Sequence, residues 1–123
     1  MSGRNDDARG KHTAAANRVA QIASLNDALR RHRIGGRLAV TAGVIALGDH
    51  ALPAILQQVA AYDAFDESND PYGEHDFGSL HHAGARLFWK IDYYDPSMRA
   101  GSSDPANSVV TIRVLTIMLA EEY

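Results

Sequence analysis

The residue types best suited to chemistry gather in two short stretches of the chain. The first, NDPYGEHDFG at residues 69–78, holds three acids and one histidine together with two glycines and a proline. The second, RLFWKIDYY at residues 86–94, alternates apolar with mixed side chains. Such alternation is typical of a strand with one buried face. A hairpin between the two stretches is therefore the simplest prediction.

This hairpin would assemble a candidate catalytic set. If Ala83-Gly84 forms a two-residue turn, Phe77 lies opposite Lys90 and His75 lies opposite Asp92. A carboxylate beside an imidazole fixes its tautomer and orients it as a general base, and a neighbouring ammonium stabilises developing negative charge. The register thus predicts His75, Asp92 and Lys90 as catalytic residues. A longer turn with a glycine bulge is the alternative, and it would move every pair by one residue.

Other uses of the same residues compete with catalysis. Cross-strand His–Asp and Lys–Asp pairs on a solvated sheet face commonly contribute only about 0.2–1 kcal/mol and have no further role. The first stretch can also be purely structural, with Asn69 or Asp70 capping a turn that Pro71 fixes, while His75 and Asp76 tie the hairpin to a helix end. A binding surface is the third interpretation. Its predicted members are Asp70, Glu74, Asp76 and Tyr94.

The carboxylates of the first stretch are also of the kind that binds a divalent metal, but their spacing does not predict a metal site. A run that starts at Asp66 begins like a calcium-binding loop, yet Pro71 stands where that loop needs glycine and Phe77 stands where it needs glutamate. Adjacent strand residues point to opposite faces, so residues 74–76 converge only where the chain is irregular. We therefore predict neither a metal nor another cofactor.

Hydrophobic periodicity predicts the elements that position these residues. Steps of three and four residues predict helices over residues 13–32 and 50–64, and the first of these leaves Leu25 and Asn26 as alternatives for one buried position. Branched and aromatic runs predict strands. The predicted strands cover residues 37–41, 75–82 and 86–94.

The last segment of the chain allows two interpretations. Residues 108–123 are apolar almost without interruption, which predicts a buried helix, and their β-branched residues make a buried strand the alternative. With the helix, the element order is α-β-α-β-β-α. This order predicts an α+β domain with helices packed on one face of a small, mainly antiparallel sheet that has a central hairpin.

Composition is that of an ordinary folded protein. The 123 residues are 46% hydrophobic and 22% charged, with a net charge of −3. The absence of cysteine excludes disulfides and thiolate chemistry.

The polar residues 1–12 predict a disordered tail before a single domain at residues 13–123. The sequence has no apolar run of the kind that forms a signal sequence or a membrane span, so we expect a cytoplasmic protein. Sequence motifs of a phosphate-binding loop or a serine nucleophile are absent.

Charge is distributed unevenly along the chain. Residues 63–76 hold six acids and no lysine or arginine, whereas arginines gather at residues 30–37. The acidic edge predicts a docking surface for a basic protein partner, and the arginine cluster makes nucleic acid a weaker candidate. Two solvated patches that keep the protein soluble are the alternative. An uncovered sheet face that carries Phe77, Phe88 and Tyr94 would also suit self-association into a homo-oligomer.

Three motifs carry a resemblance to a known family. They are FDESNDPYGEHDFG, FWKIDYYD and TIRVLTIMLAEEY. The chain resembles domain-of-unknown-function family 3768 over roughly residues 22–123. The resemblance implies a small, mostly alphaproteobacterial protein, often carried on plasmids or other mobile DNA, and it assigns no catalytic residues.

Two functions of different classes follow from these observations. The first is a non-enzymatic binding or accessory protein of mobile DNA that acts through protein–protein contacts. The alternative is a small hydrolase or metal-assisted enzyme that uses His75 and Asp92 with Lys90 and nearby acids. The distance between the imidazole and the carboxylate discriminates between them.

Overall fold

The described chain folds as helices over a four-stranded sheet. The computed structural model describes the backbone of residues 3–123 and the side chains of residues 13–123. Its helices are α1 (Gly3–His32), α2 (Ala42–Ile45) and α3 (Ala51–Ala61). Its strands are β1 (Arg37–Val40), β2 (Phe77–His82), β3 (Ala85–Tyr94) and β4 (Ile112–Leu119). The strand order is β1-β4-β3-β2, with β1 parallel to β4 and the other two pairs antiparallel. The α+β class predicted from the sequence is confirmed.

The helices cover one face of the sheet. In β3 the alternate side chains of Leu87, Trp89 and Ile91 are at most 3% exposed, while those between them are half-buried or exposed. The helices and β4 complete this core with Leu29, Val44, Ile55, Val59, Leu115 and Ile117. Full burial of each such side chain contributes roughly 1.5–3 kcal/mol. Packing against the helices therefore decides which face of the sheet is the inner one.

Gly78 of β2 makes room for the indole of the single tryptophan. A Cβ atom at this position would overlap Nε1 of Trp89, which lies directly across the strand pair. The close approach requires glycine here although glycine weakens a strand interior.

The hairpin between β2 and β3 has the predicted turn and register. Phe77 pairs with Lys90 along the ladder, and the two turn residues Ala83 and Gly84 have φ angles of 50° and 82°. Positive φ at both central residues is the property of a type I′ turn, whose twist matches that of the strands. The alternative with a glycine bulge is wrong.

The C-terminal segment is a strand, so the predicted final helix is wrong. Residues of β4 lie between β3 and β1 in the middle of the sheet. Four of the eight residues of β4 are β-branched, and a central strand can be apolar on both faces. A continuous apolar run of this kind fits either element, and the two neighbouring strands select the strand.

Several predicted boundaries also differ from the structure. Helix α3 ends at Ala61 rather than at residue 64, the short helix α2 was not predicted, and β2 begins at Phe77 rather than at residue 75. Helix α1 begins at Gly3, within the predicted tail. Residues 1 and 2 and the side chains of residues 3–12 lie outside the described part of the chain, so the tail and the domain boundary at residue 13 stay predictions.

Candidate functional site

Asp70 organises the turn within NDPYGEHDFG. Its carboxylate is buried, and Oδ1 accepts hydrogen bonds from the backbone N–H groups of Glu74 at 3.0 Å and His75 at 3.2 Å. Its own N–H donates to the carbonyl of Asp66, and its carbonyl accepts from Gly73, where φ is 73°. Asp70, a predicted binding residue, thus satisfies buried backbone donors, as the structural interpretation of this stretch predicts.

His75 points toward helix α1. Its φ is 57°, a left-handed conformation. The side chain therefore points to the face opposite to the one that regular strand alternation would give it. Nδ1 lies 3.1 Å and 3.2 Å from the two carboxylate oxygens of Asp27. The imidazole also stacks on Phe65, with 4.1 Å between centroids and 3° between the planes. The ring is therefore held on the side of the sheet where Phe65 contacts Trp89.

The predicted pair of His75 and Asp92 is therefore not formed. Asp92 forms an ion pair with Lys90, at 2.9 Å, on the other side of the sheet. The hydrogen bond between the two side chains is the largest cause of the raised pKa of Lys90. Residues two apart in one strand share a face, so this pair needs no partner from β2. The predicted register is correct from His82 back to Phe77, the first residue of β2. His75 precedes the strand, and its positive φ breaks the alternation of side chains there. The catalytic role of the three residues stays a prediction that has lost the geometry it depended on.

Arg30 joins helix α1 to the end of helix α3 from inside the protein. Its side chain is fully buried, and Nη1 donates to the carbonyls of Val59, Ala60 and Tyr62 at 2.9, 3.1 and 2.7 Å. Val59 and Ala60 lie in the last turn of α3 and Tyr62 is its C-terminal cap, so the arginine binds carbonyls at the helix end; the Val59 carbonyl also accepts the N–H of Tyr62. Nη2 donates to Asp27 at 2.8 Å, so one carboxylate joins the arginine to His75. Sequence reasoning placed Arg30 in a surface cluster and missed this role.

Asn26 is the centre of a second buried polar network. Its Nδ2 donates to the carbonyl of Glu74 at 3.0 Å and to the hydroxyl of Tyr93 at 2.7 Å, and its Oδ1 accepts from Nε of Arg113 at 2.9 Å. The hydroxyl of Tyr93 in turn donates to Glu74, and burial together with this bond raises the pKa of Tyr93 strongly. Burial also lowers the pKa of Arg113, which is 1% exposed and donates to the carbonyl of Pro105. The network ties α1 to β3, β4 and the turn at residues 69–76, which we call the acidic turn.

The remaining predicted binding residues take part in different contacts. Glu74 belongs to the network of Asn26, whereas Asp76 is half-buried without a hydrogen bond to another side chain among the described residues. Burial and the nearby charge of Glu74 raise the pKa of Asp76. Tyr94 is half-buried at the end of β3, where it bridges to Gly101. Within the described chain no three acidic or histidine side chains gather as a metal site.

The sheet face opposite the helices carries aromatic and cationic side chains. We call it the open face, and it includes Phe77, Ser79, Phe88, Lys90, Tyr94 and Thr116. The rings of Phe77 and Phe88 are 5.2 Å apart, and Tyr123 packs edge-on against both at 6.0 and 5.5 Å. The guanidinium of Arg86 lies 5.0 Å above the Phe88 ring. No α-helix of the described chain packs on this face.

Comparison with known proteins identifies the family. The family model described as protein of unknown function (DUF3768) matches residues 40–122. The chain belongs to this family. The resemblance inferred from the three motifs is thereby confirmed. No curated protein and no solved structure matches the chain.

The match includes most of the sheet but not helix α1. The open-face residues and the acidic turn lie within residues 40–122, whereas Asn26, Asp27 and Arg30 precede them. Asn26 and Asp27, which contact Glu74 and His75, therefore come from outside the matched region, whereas Asp70, which accepts the N–H groups of the same two residues, lies within it. In the described part of the chain, no helix is both long enough and apolar enough to cross a membrane.

Proposed function

We propose that this DUF3768 protein is a non-enzymatic binding protein that acts through protein–protein contacts on its open face. The observation that supports this most is that no α-helix of the described chain covers the sheet face with Phe77, Phe88 and Tyr94. Aromatic side chains and arginine are enriched in protein interfaces, where they supply much of the binding energy. Arg86 at the rim of the aromatic cluster adds a cation for a carboxylate of the partner. An accessory role for mobile DNA, which extends what the family resemblance implies, and a cytoplasmic location, expected from the lack of a predicted signal sequence or membrane span, belong to the same proposal.

The two charged patches support a partner less directly than the open face. In the acidic edge, Asp66, Asp70 and Glu74 accept hydrogen bonds from groups of this chain, so part of its charge is already used. In the arginine cluster, Arg30 is buried and cannot reach a phosphate. Nucleic acid therefore stays the weaker partner.

An enzyme has less support than a binding protein. A hydrolase built on His75 and Asp92 needs these side chains in contact, and each has another partner. The imidazole is held between Asp27 and the ring of Phe65, and its Nε2 lies 3.9 Å from the Asp70 carboxylate. Each ring nitrogen thus has a carboxylate nearby, and neither carboxylate is that of Asp92.

Site-specific photocrosslinking tests the proposal. A benzophenone amino acid replaces Ser79 on the open face, and a matched variant carries it at Gln57, an exposed residue on α3. Within bacterial cells that express the full chain, we expect protein adducts from position 79 and none from position 57. The second substitution Phe88→Glu should remove the adduct, because it places a charge in the aromatic cluster.

Two results would contradict the proposal. One is an adduct pattern that is equal at the two positions, and the other is an adduct at position 79 that persists in Phe88→Glu. Circular dichroism must show that Phe88→Glu is folded. If it is not, Arg86→Glu, at an exposed side chain above the same ring, replaces it.

A further inference from the structure

The outer edge of β1 has unpaired backbone groups. β1 lies at one end of the strand order and pairs with β4. The N–H of Thr41 donates to the carbonyl of Ile117 at 3.1 Å, which shows the phase of the parallel ladder. Alternate residues of a strand bond to the same neighbour, so Leu38 and Val40 direct their N–H and C=O groups away from β4. These four groups are the positions that an added strand would use.

The surroundings of this edge are apolar and positively charged. Ile34, which precedes β1, is 62% exposed, and Leu38 within β1 is 38% exposed. Arg37, the first residue of β1, is also exposed. Arg31 and Arg33 are exposed as well, but they lie beside Asp49 and helix α3, so Arg37 is the arginine that belongs to this edge.

We propose that the β1 edge binds an extended, acidic peptide segment of a partner as a fifth strand. The peptide backbone bonds to Leu38 and Val40, an apolar residue of the peptide covers Leu38, and a carboxylate faces Arg37. Charge complementarity with Arg37 selects this occupant, since a second copy of the chain would add another arginine to the edge rather than a carboxylate. The inference concerns a surface other than the open face and does not depend on the function proposed above.

Selection from a random nonapeptide library displayed on phage tests this inference with the full chain as bait. We expect enriched peptides in which apolar residues alternate with Asp or Glu. One enriched peptide is then synthesised with a fluorescent label, and its affinity is measured by fluorescence anisotropy. A peptide of the same pattern with lysine in place of each acid should not bind.

The variant Leu38→Pro isolates the backbone contribution. Proline at this position removes an outward N–H while the inward ladder with β4 keeps its donors. We expect affinity for the acidic peptide to fall by about tenfold or more, as for loss of at least one hydrogen bond plus the clash of the ring. His81→Pro is the matched control, because His81 lies on the opposite edge strand and its N–H also points outward. It should leave affinity unchanged, as should Phe88→Glu on the open face.

Three outcomes would overturn the inference. They are a selection that enriches no acidic peptide, equal binding of the acidic and lysine peptides, and undiminished binding by a folded Leu38→Pro variant. If that variant does not fold, Arg37→Glu takes its place, and an affinity equal to that of the wild type would overturn the inference as well. A single-stranded oligo-dT that displaces the acidic peptide equally from wild type and His81→Pro, and binds more tightly than the peptide, would assign the edge to nucleic acid instead.

Discussion

Substitution of Asn26 by alanine should destabilise the protein severely. The side chain is fully buried and makes three hydrogen bonds, to the Glu74 carbonyl, the Tyr93 hydroxyl and the Arg113 guanidinium. At about 1 kcal/mol for each bond, their loss costs about 3 kcal/mol. Nε of Arg113 is left buried without this acceptor, which raises the total to about 3–4 kcal/mol. Typical domains have only about 5–15 kcal/mol of stability, so the loss is a large fraction.

The corresponding change in melting temperature is large enough to measure simply. An unfolding entropy of about 2.1 cal/mol/K per residue predicts a fall of about 12–15 °C for this chain length. Urea and thermal unfolding can be followed by circular dichroism and by the fluorescence of Trp89, the single tryptophan of the chain. Ser24→Ala, at an exposed position of the same helix, is the control and should change stability by less than about 0.5 kcal/mol.

A double substitution separates the network from simple packing. Asn26→Leu together with Arg113→Met removes both sides of the buried bond, so no charge is left without its acceptor. We expect the double variant to lose clearly less stability than the sum of the two single variants. A loss below about 1 kcal/mol for Asn26→Ala, or strictly additive losses in the double variant, would refute the reasoning.

Three further predictions follow from the same contacts. His75→Ala should cost about 1–2 kcal/mol through loss of the Asp27 bond and the ring stacking, without changing crosslinking at the open face, whereas Asp92→Ala, in a half-exposed pair, should cost at most about 1 kcal/mol. Equal losses in the two variants would contradict a structural role for His75. Ala83→Asn should raise stability by about 0.5–1 kcal/mol in urea unfolding, because asparagine accepts the φ of 50° more readily, and a lower stability would contradict the type I′ turn. The Thr41 hydroxyl holds the pKa of Glu122 below its usual range, so this carboxylate stabilises the fold above its unfolded pKa and loses that effect as acid protonates it. The stability difference between wild type and Glu122→Gln should therefore shrink as the pH falls below the usual pKa of a glutamate, and a constant difference would exclude the linkage.

The local patterns of the sequence were sufficient for much of the fold. The period of three and four residues predicted α1 and α3, and the alternation in β3 predicted which of its residues lie inside. The turn at Ala83-Gly84 predicted the register between β2 and β3. These features depend on residues close together in the chain, so their periodicity and turn chemistry contain the information.

The same patterns were not sufficient for the candidate site. The register predicted His75 beside Asp92, but the left-handed backbone at His75 turns its ring to the other side of the sheet. Such a conformation at a single non-glycine residue leaves no periodic trace in a sequence. The observation that three acids and a histidine share one stretch remained correct, while their use as turn and network groups required the positions of Asn26 and Asp27.

The sequence by itself determined the α+β class, the family, the central hairpin and its inner face, because repeating apolar positions and turn residues act over short distances. Only the tertiary structure decided that the last segment is a strand between β1 and β3, that Asn26 rather than Leu25 is fully buried, and that Arg30 caps α3 from inside. An apolar run can be buried in a helix or a strand, and a polar residue can be buried once partners satisfy it. Those partners lie far away in the chain, so three-dimensional packing selects between the alternatives that the sequence leaves open.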